Sequence, residues 1–372
     1  MLPILRWLPI SSPGYGAPRH AILFLFILIC MKSIQITRPD DWHVHFRDGK
    51  LLENTVPATA NHFGRALVMP NLTPPLIRLH DILEYHRRIL NASPKKDFIP
   101  FMTFFLHENM NPAEFEQAKR YPFIVGAKLY PAGVTTNSDQ GIQSFKSIYP
   151  LLATMEENNL VLQVHGEVTH SDIFDRERLF LEEVLRIIVE DFPKLRVVLE
   201  HISTKSAVDY VKDAPQTVSA TITPHHLLYN RNHLLAGGVK PHYYCLPILK
   251  KKSDQIALQE AATSGNPKFF AGTDSAPHAQ NKKEASCGCA GIYSAPFAIS
   301  MYAEIFAALN KLPQLNHFLG HFGAQFYGFA PNSSRIELIE KPFIIPDALP
   351  LGNEVVIPAG AQTTLHWSIN EA

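Results

Sequence analysis

The chain has 372 residues, 46% of them hydrophobic and 18% charged, which fits a globular protein with a large core. Its 34 basic and 34 acidic residues cancel, so no basic face is offered to nucleic acid. Four cysteines (Cys30, Cys245, Cys287 and Cys289) are too few for a disulfide framework in a chain this long and point to a reducing compartment, the cytoplasm.

Residues 1 to 30 read differently from the rest. The run Ala21 to Cys30 is unbroken and apolar, but shorter than the roughly 20 residues a spanning helix needs. Arg6, Arg19 and His20 precede it, as in a signal segment, yet no small-x-small cleavage site follows. Met31 therefore reads as the functional start. The functional protein is expected to be one domain over 31–372, with no stable membrane association.

From there one rhythm repeats: a short apolar or β-branched run, a loop, then a helix-like stretch. The strand signals are Ile34 to Thr37 leading to His43, Ala66 to Met69, Phe101 to Phe105, Phe123 to Leu129, Leu160 to His165, Val197 to His201, Val218 to Thr223 and Phe269 to Asp274. Near-continuous apolar strands suit a parallel sheet covered on both faces. Between them, Leu76 to Leu90, Pro112 to Lys119, Ser144 to Asn158, Asp175 to Asp191, Ser206 to Lys212 and Asp254 to Ser264 read as helices. Phe180, Val184, Leu185 and Ile188, for instance, share one helical face. Strand–helix alternation repeated eight times predicts an α/β fold, a (β/α)8 TIM barrel. No Gly-x-Gly-x-x-Gly follows the first strand, which argues against a dinucleotide-binding open sheet. Beyond Pro313 the chain reads as late helices and a C-terminal tail wrapping the barrel, with extended runs at Ile336 to Leu338, Glu354 to Ile357 and Thr363 to Trp367.

The 18 histidines invite a search for metal ligands, and their positions decide. Polar residues collect at the strand ends, which share one face of a barrel. In an extended segment His43 and His45 point to one side and can grip one ion, although two polar loop residues would look the same. Lys128 stands inside an apolar strand and must have a partner or lose its charge. It reads either as half of a salt bridge or as an amine that adds carbon dioxide to become a carbamate. His165 and His201 follow successive apolar strands. Asp274 closes the series; it can hold a cation and exchange a proton with water, or simply cap a helix. Nitrogen and oxygen donors of this kind suit zinc. Cys287-Gly-Cys289, two close thiols without a second pair, reads as a loop.

The longer words around these residues carry a resemblance. Arg38-Pro-Asp-Asp-Trp-His-Val-His-Phe-Arg-Asp48, Val68-Met-Pro-Asn-Leu-Thr-Pro-Pro75, Ala127-Lys-Leu-Tyr-Pro-Ala132, Val164-His-Gly-Glu-Val-Thr169, Thr223-Pro-His-His-Leu227, Tyr244-Cys-Leu-Pro-Ile-Leu-Lys250 and Gly272-Thr-Asp-Ser-Ala-Pro-His278 resemble the amidohydrolase superfamily, and within it the homodimeric bacterial dihydroorotases. The similarity runs from about Ile34 to the C-terminus. It implies reversible cyclisation of N-carbamoyl-L-aspartate to L-dihydroorotate in pyrimidine biosynthesis, and a homodimer. It also implies two zinc ions per subunit bridged by N6-carboxylated Lys128, one with His43, His45 and Asp274 and the other with His165 and His201. Asp274 would be the general acid–base. Arg47, Asn71 and His278 would hold the substrate's α-carboxylate, and the backbone at Leu246 and Ala290 its ring edge. Thr135 and Thr136 would belong to a loop that closes over substrate. The family lacks the N-terminal extension. Two rival readings are another cyclic amidohydrolase, a hydantoinase or an allantoinase, and a non-catalytic barrel serving as a scaffold. The carboxylate-binding set argues against the first, and the intact ligand set against the second.

Overall fold

A computed structural model describes residues 32–370, so the apolar segment 1–30 and the reading of Met31 as a start lie outside the described residues. Eight parallel strands form one sheet in chain order: β2 (Asp40–Val44), β3 (Arg65–Val68), β4 (Ile99–Phe105), β5 (Ile124–Leu129), β6 (Val161–Val164), β7 (Val197–Leu199), β8 (Val218–Ile222) and β9 (Phe269–Ala271). The first and last nearly close on each other. Asp274 N donates to the His43 carbonyl at 2.8 Å, His45 N to the Ser275 carbonyl at 3.1 Å, and Val44 and Ser275 form a parallel bridge. Helices fill most of the intervals, the longer ones being Leu52–Ala60, Leu79–Ala92, Tyr149–Glu157, Lys205–Asp213 and Lys252–Thr263. The predicted helix over 175–191 is continuous but passes through a π turn at Leu181–Leu185.

Strand parity divides the core, because successive side chains point to opposite faces. Ala66, Val68, Phe104, Leu162, Val164, Val197 and Leu199 face outward into the layer beneath the helices. Trp42, Leu67, Phe101, Val161, Val198 and Phe270 fill the interior, packed against Tyr327. Above them lie Thr103 and Gln163, joined by a 2.6 Å hydrogen bond, with Gln163 also donating to the Tyr327 hydroxyl at 3.2 Å. The interior is thus filled from below, and the space left lies at the C-terminal strand ends.

The first strand needs correction. Ile34 to Thr37 belongs to β1 (Ser33–Thr37), which pairs antiparallel with β10 (Arg335–Ile344) in a separate sheet of order β1-β10-β13, where β13 is Thr364–Ile369. The barrel strand is Asp40–Val44 instead. Its two aspartates disguise it, since a buried strand is expected to be apolar. Both carboxylates are paired: Asp40 accepts from Arg65 Nε at 2.8 Å, and Asp41 from Thr273 N at 2.8 Å and Thr273 Oγ1 at 2.6 Å. The C-terminal tail is also more ordered than a set of wrapping loops, with β11 (Leu349–Leu351) and β12 (Glu354–Val356) forming a hairpin.

Beyond β8 a histidine knot turns the chain. Thr223 caps the helix Pro224–Leu228 and its hydroxyl meets His226 Nδ1 at 2.8 Å, while His226 Nε2 donates to the Pro247 carbonyl at 2.9 Å. Cys245 Sγ donates to the same carbonyl at 3.3 Å. The ligand atoms of His225, His226 and Cys245 lie within 4.8 Å of one another, but two of these three side chains are committed to that carbonyl.

Two outcomes follow from this packing. Trp42 stacks on Tyr327 with ring centroids 4.4 Å apart, and a Cβ at Gly323 would stand 2.1 Å from its Nε1. Gly323→Ala should cost about 2 kcal/mol through overpacking, read as a lower thermal midpoint; an unchanged midpoint refutes this packing. Burial pushes His226 down from 6.5 to about 4. The unfolded chain then takes up its proton at a higher pH than the folded chain does, so this contribution is present above pH 6.5 and is lost as pH falls toward 4. Urea midpoints of wild type should drop between pH 7 and pH 5 more than those of His226→Gln; parallel drops would refute the assignment.

Candidate active site

The residues singled out in the sequence arrive from different strand ends at one cavity. His43, His45, Arg47, Asn71, Thr135, Thr136, His165, His201, Leu246, Asp274 and Ala290 all line it, together with Tyr130, Ala276 and Gly291. Its empty space, counted out to open solvent, is about 340 Å³. Lys128 and His278 are not among its lining residues.

One end of the cavity holds the imidazoles. His43, His45 and Asp274 bring their donor atoms within 4.8 Å of one another. His45 Nε2 lies 3.1 Å from Asp274 Oδ1, and His43 Nε2 lies 3.4 Å from the same oxygen without a hydrogen bond. The His201 ring centroid is 5.0 Å from that of His43 and 4.6 Å from that of His165. Burial holds His45 at about 4 and lowers His165 and His201 as well, so these rings stay neutral at pH 7 and keep lone pairs for a cation. Burial works against the charge of Asp274, yet the His45 hydrogen bond and the surrounding imidazoles hold its carboxyl below the usual carboxylate range.

Lys128 is fully buried, and its Nζ has no hydrogen-bond partner among the described residues; its nearest aromatic partner is the Tyr130 ring, 5.2 Å away. Burial pushes its ammonium down to about 8. His43 Nε2 and His201 Nδ1 are likewise buried without a partner. Three buried nitrogens without hydrogen bonds, two of them on rings that line the cavity with Asp274, fit a divalent cation site, because without one each stays unsatisfied.

Two carboxylates behind these rings carry no obvious signal in the sequence. Glu200 Oε2 accepts from His43 Nδ1 at 2.9 Å and from Thr221 Oγ1 at 2.6 Å. Glu167 Oε2 pairs with His165 Nε2 at 2.8 Å. Each fixes one ring nitrogen and leaves the other for the pocket. An acid beside a strand-end histidine was the available hint.

The other end is cationic and polar. Arg47 Nη2 donates to His278 Nε2 at 2.9 Å and its Nε to the Pro277 carbonyl at 3.2 Å. Burial, with Arg47 beside it, pushes His278 down to about 2, so His278 is a neutral acceptor that orients the guanidinium. Asn71 Nδ2 donates to the Thr136 carbonyl at 3.0 Å, Asn137 Nδ2 to the Asn71 carbonyl at 3.1 Å, and Thr136 Oγ1 to the Ala290 carbonyl at 3.3 Å. The Thr135–Thr136 loop is thereby tied to both neighbouring walls. Cys287 is exposed and Cys289 partly exposed, both free thiols.

Backbone strain gathers here too. Arg47, His201 and Asp274 have φ of 62°, 41° and 45°, a region that costs non-glycine residues energy and persists where surroundings over-determine it.

Comparison with known proteins agrees with this geometry. The dihydroorotase of Coxiella burnetii is 54% identical over 91% of this chain and 98% of its own length. That of Shewanella denitrificans is also 54% identical, over 91% of this chain and 99% of its own. The crystal structure of Campylobacter jejuni dihydroorotase superposes with a TM-score of 0.85 at 35% identity, covering 92% of this chain and 98% of that one. Saccharomyces cerevisiae dihydroorotase in complex with 5-fluoroorotic acid gives 0.83 at 35%, covering 91% and 98%. An L-hydantoinase from Arthrobacter aurescens, at 14% identity and a TM-score of 0.73 over 90% of this chain and 83% of that one, shares the barrel. The Amidohydrolase family pattern matches residues 37–337, and the chain belongs to that family.

Proposed function

We propose that the chain is a dihydroorotase, a cyclic amide hydrolase that interconverts L-dihydroorotate and N-carbamoyl-L-aspartate. One observation carries this reading beyond the family: Arg47 and Asn71 line the same small cavity as the imidazole cluster and Asp274. A carboxylate-bearing ring is what such a cavity would take, with the guanidinium fork on the carboxylate and the scissile amide toward the histidines. A hydantoin ring lacks that carboxylate and would leave Arg47 with only its neutral partners, His278 and the Pro277 carbonyl. More than half identity to two proteins named dihydroorotase points the same way.

His43, His45, Lys128, His165, His201 and Asp274 would hold two zinc ions, Lys128 doing so as a carbamate after its neutral Nζ adds carbon dioxide and loses a proton. The lowered ammonium and the absence of a partner for Nζ support that modification. When bound, the metal pair supplies an activated water and polarisation of the ring carbonyl. The chain's own residues do the rest. Asp274 takes the proton of the attacking water as its oxygen bonds to the ring carbonyl carbon. It then delivers that proton to the ring nitrogen as the carbon–nitrogen bond breaks. Arg47, held by His278, and Asn71 orient the α-carboxylate, while the backbone at Leu246 and Ala290 meets the ring edge. Thr135 and Thr136 keep water out once the ring is seated.

No helix among the described residues is long and apolar enough to cross a membrane. A homodimeric cytoplasmic enzyme of pyrimidine biosynthesis is the setting we infer from the likeness to the bacterial enzymes.

Protein from Met31 onward should turn over L-dihydroorotate in an ultraviolet assay and carry about two zinc ions per chain. Metal without turnover would point to a sister amidohydrolase, and neither would favour the scaffold. Asp274→Asn should keep metal but lose roughly 100-fold or more in kcat. Substantial turnover in that variant would sink the acid–base role. Arg47→Gln should raise KM about tenfold or more, the worth of a charged hydrogen bond, and an unchanged KM would remove Arg47 from the carboxylate site.

A further inference from the structure

Two backbone segments reach the cavity from outside the barrel strands: the one after Tyr244, through Leu246, and the one after β9, through Ala290. A single lysine joins them. Lys283 ends the short helix Gln280–Lys283 and is 3% exposed. Its Nζ donates to the Tyr244 carbonyl at 2.7 Å and to the Gly291 carbonyl at 2.6 Å. Gly291 N donates to the same Tyr244 carbonyl at 3.0 Å, so three groups converge on one point. No carboxylate forms an ion pair with Lys283 among the described residues. Burial pushes its ammonium down to about 8. The Tyr244 ring, 5.9 Å from Nζ, is its other partner, and a buried amine without a counter-ion is costly unless its hydrogen bonds are well made.

The loop that follows is folded tightly onto it. A Cβ at Gly288 would lie 2.5 Å from the Lys283 carbonyl, and Cys289 N donates to the Lys282 carbonyl at 3.2 Å. At Gly291, where φ is +149°, a Cβ would lie 2.7 Å from the Ala276 carbonyl and 2.8 Å from His278 Cδ2. The Ala290 carbonyl, next in line, accepts from Thr136 Oγ1. The carbonyls that Lys283 grips are therefore one residue from Ala290 and two from Leu246, and Gly291 is itself part of the cavity wall.

We propose that Lys283 is a positioning residue for substrate specificity: by clamping the Tyr244 and Gly291 carbonyls it sets the spacing of the Leu246 and Ala290 backbone and so the width of the slot that accepts the planar ring. It touches neither substrate nor the reacting atoms. The role rests on the proposed dihydroorotase reading, in which those two backbone segments meet the ring edge.

The experiment compares wild type, Lys283→Met and Gly288→Ala as purified enzyme, measuring kcat and KM for L-dihydroorotate with metal content and thermal midpoint on the same samples. Lys283→Met should raise KM about tenfold, the worth of a lost charged hydrogen bond, with kcat changed less than about threefold and metal retained. Gly288→Ala keeps the lysine but pushes its carbonyl, and should raise KM in the same way; it decides the matter if Lys283→Met does not fold. A general loss of stability would lower the midpoint and the active fraction, and with it kcat, without moving KM. KM within twofold of wild type, or a fall in kcat alone, overturns the role. An inactive wild type overturns the function reading itself and this role with it.

Discussion

Asp41 carries its carboxylate into the seam where β9 meets β2, accepting from the backbone and hydroxyl of Thr273 and from His43 N. Beside it the His43 carbonyl takes Asp274 N, and the Ser275 carbonyl takes His45 N. These contacts do more than close a barrel. They set His43 and His45, from the first barrel strand, against Asp274, from the end of the last, and that is the donor group on which the cavity is built. Burial raises Asp41 to about 7, and its hydrogen bonds with Thr273 and His43 N act in the opposite direction, favouring the charged carboxylate. Were the seam to open by one strand spacing, roughly 4.8 Å, the three donors would no longer share an ion.

The buried charges and imidazoles of this face are managed in one consistent way. Two of the rings lining the cavity have one nitrogen fixed by an acid, Glu200 for His43 and Glu167 for His165, while His201 Nδ1 is left without a hydrogen-bond partner among the described residues. Arg47 is held by a neutral imidazole, not by a carboxylate, so its positive charge remains available to a ligand. Lys128 Nζ has no hydrogen-bond partner among the described residues, and burial lowers the cost of its neutral form by pushing the ammonium down to about 8. The site is thus short of anions on one side and rich in unshared lone pairs on the other, a distribution suited to cations and an anionic ring together.

Much of this was legible in the sequence. His165, His201, Lys128 and Asp274 interrupt apolar strands, and a polar residue at the end of a buried strand demands a reason. The first barrel strand was not legible, because Asp40 and Asp41 look like loop residues until Arg65 and Thr273 are placed beside them. Ile34 to Thr37 took its place because it has the better β pattern, and only the pairing with β10 shows that it serves another sheet. Glu200 and Glu167 carry no clear signal in the sequence, because their partners lie across the barrel or in a strand-end loop. Leu246 and Ala290 were accessible by resemblance alone, since what they offer is backbone, which leaves no mark on residue type. Their support by Lys283 needed coordinates.

The sheet that joins β1 to β10 has a consequence for how the molecule is made. Gln35 accepts a hydrogen bond from Arg335, 300 residues further along the chain. A ribosome adding about 5–20 residues per second would release the first of these segments well before the second exists. Throughout that interval β1 has its hydrogen-bonding edge open, while the barrel strands can form successively against neighbours just synthesised. The last strands to emerge therefore do not merely decorate a finished barrel. They cover an edge that has waited through nearly the whole of translation, and a nascent chain stalled late in synthesis would present that edge to other chains.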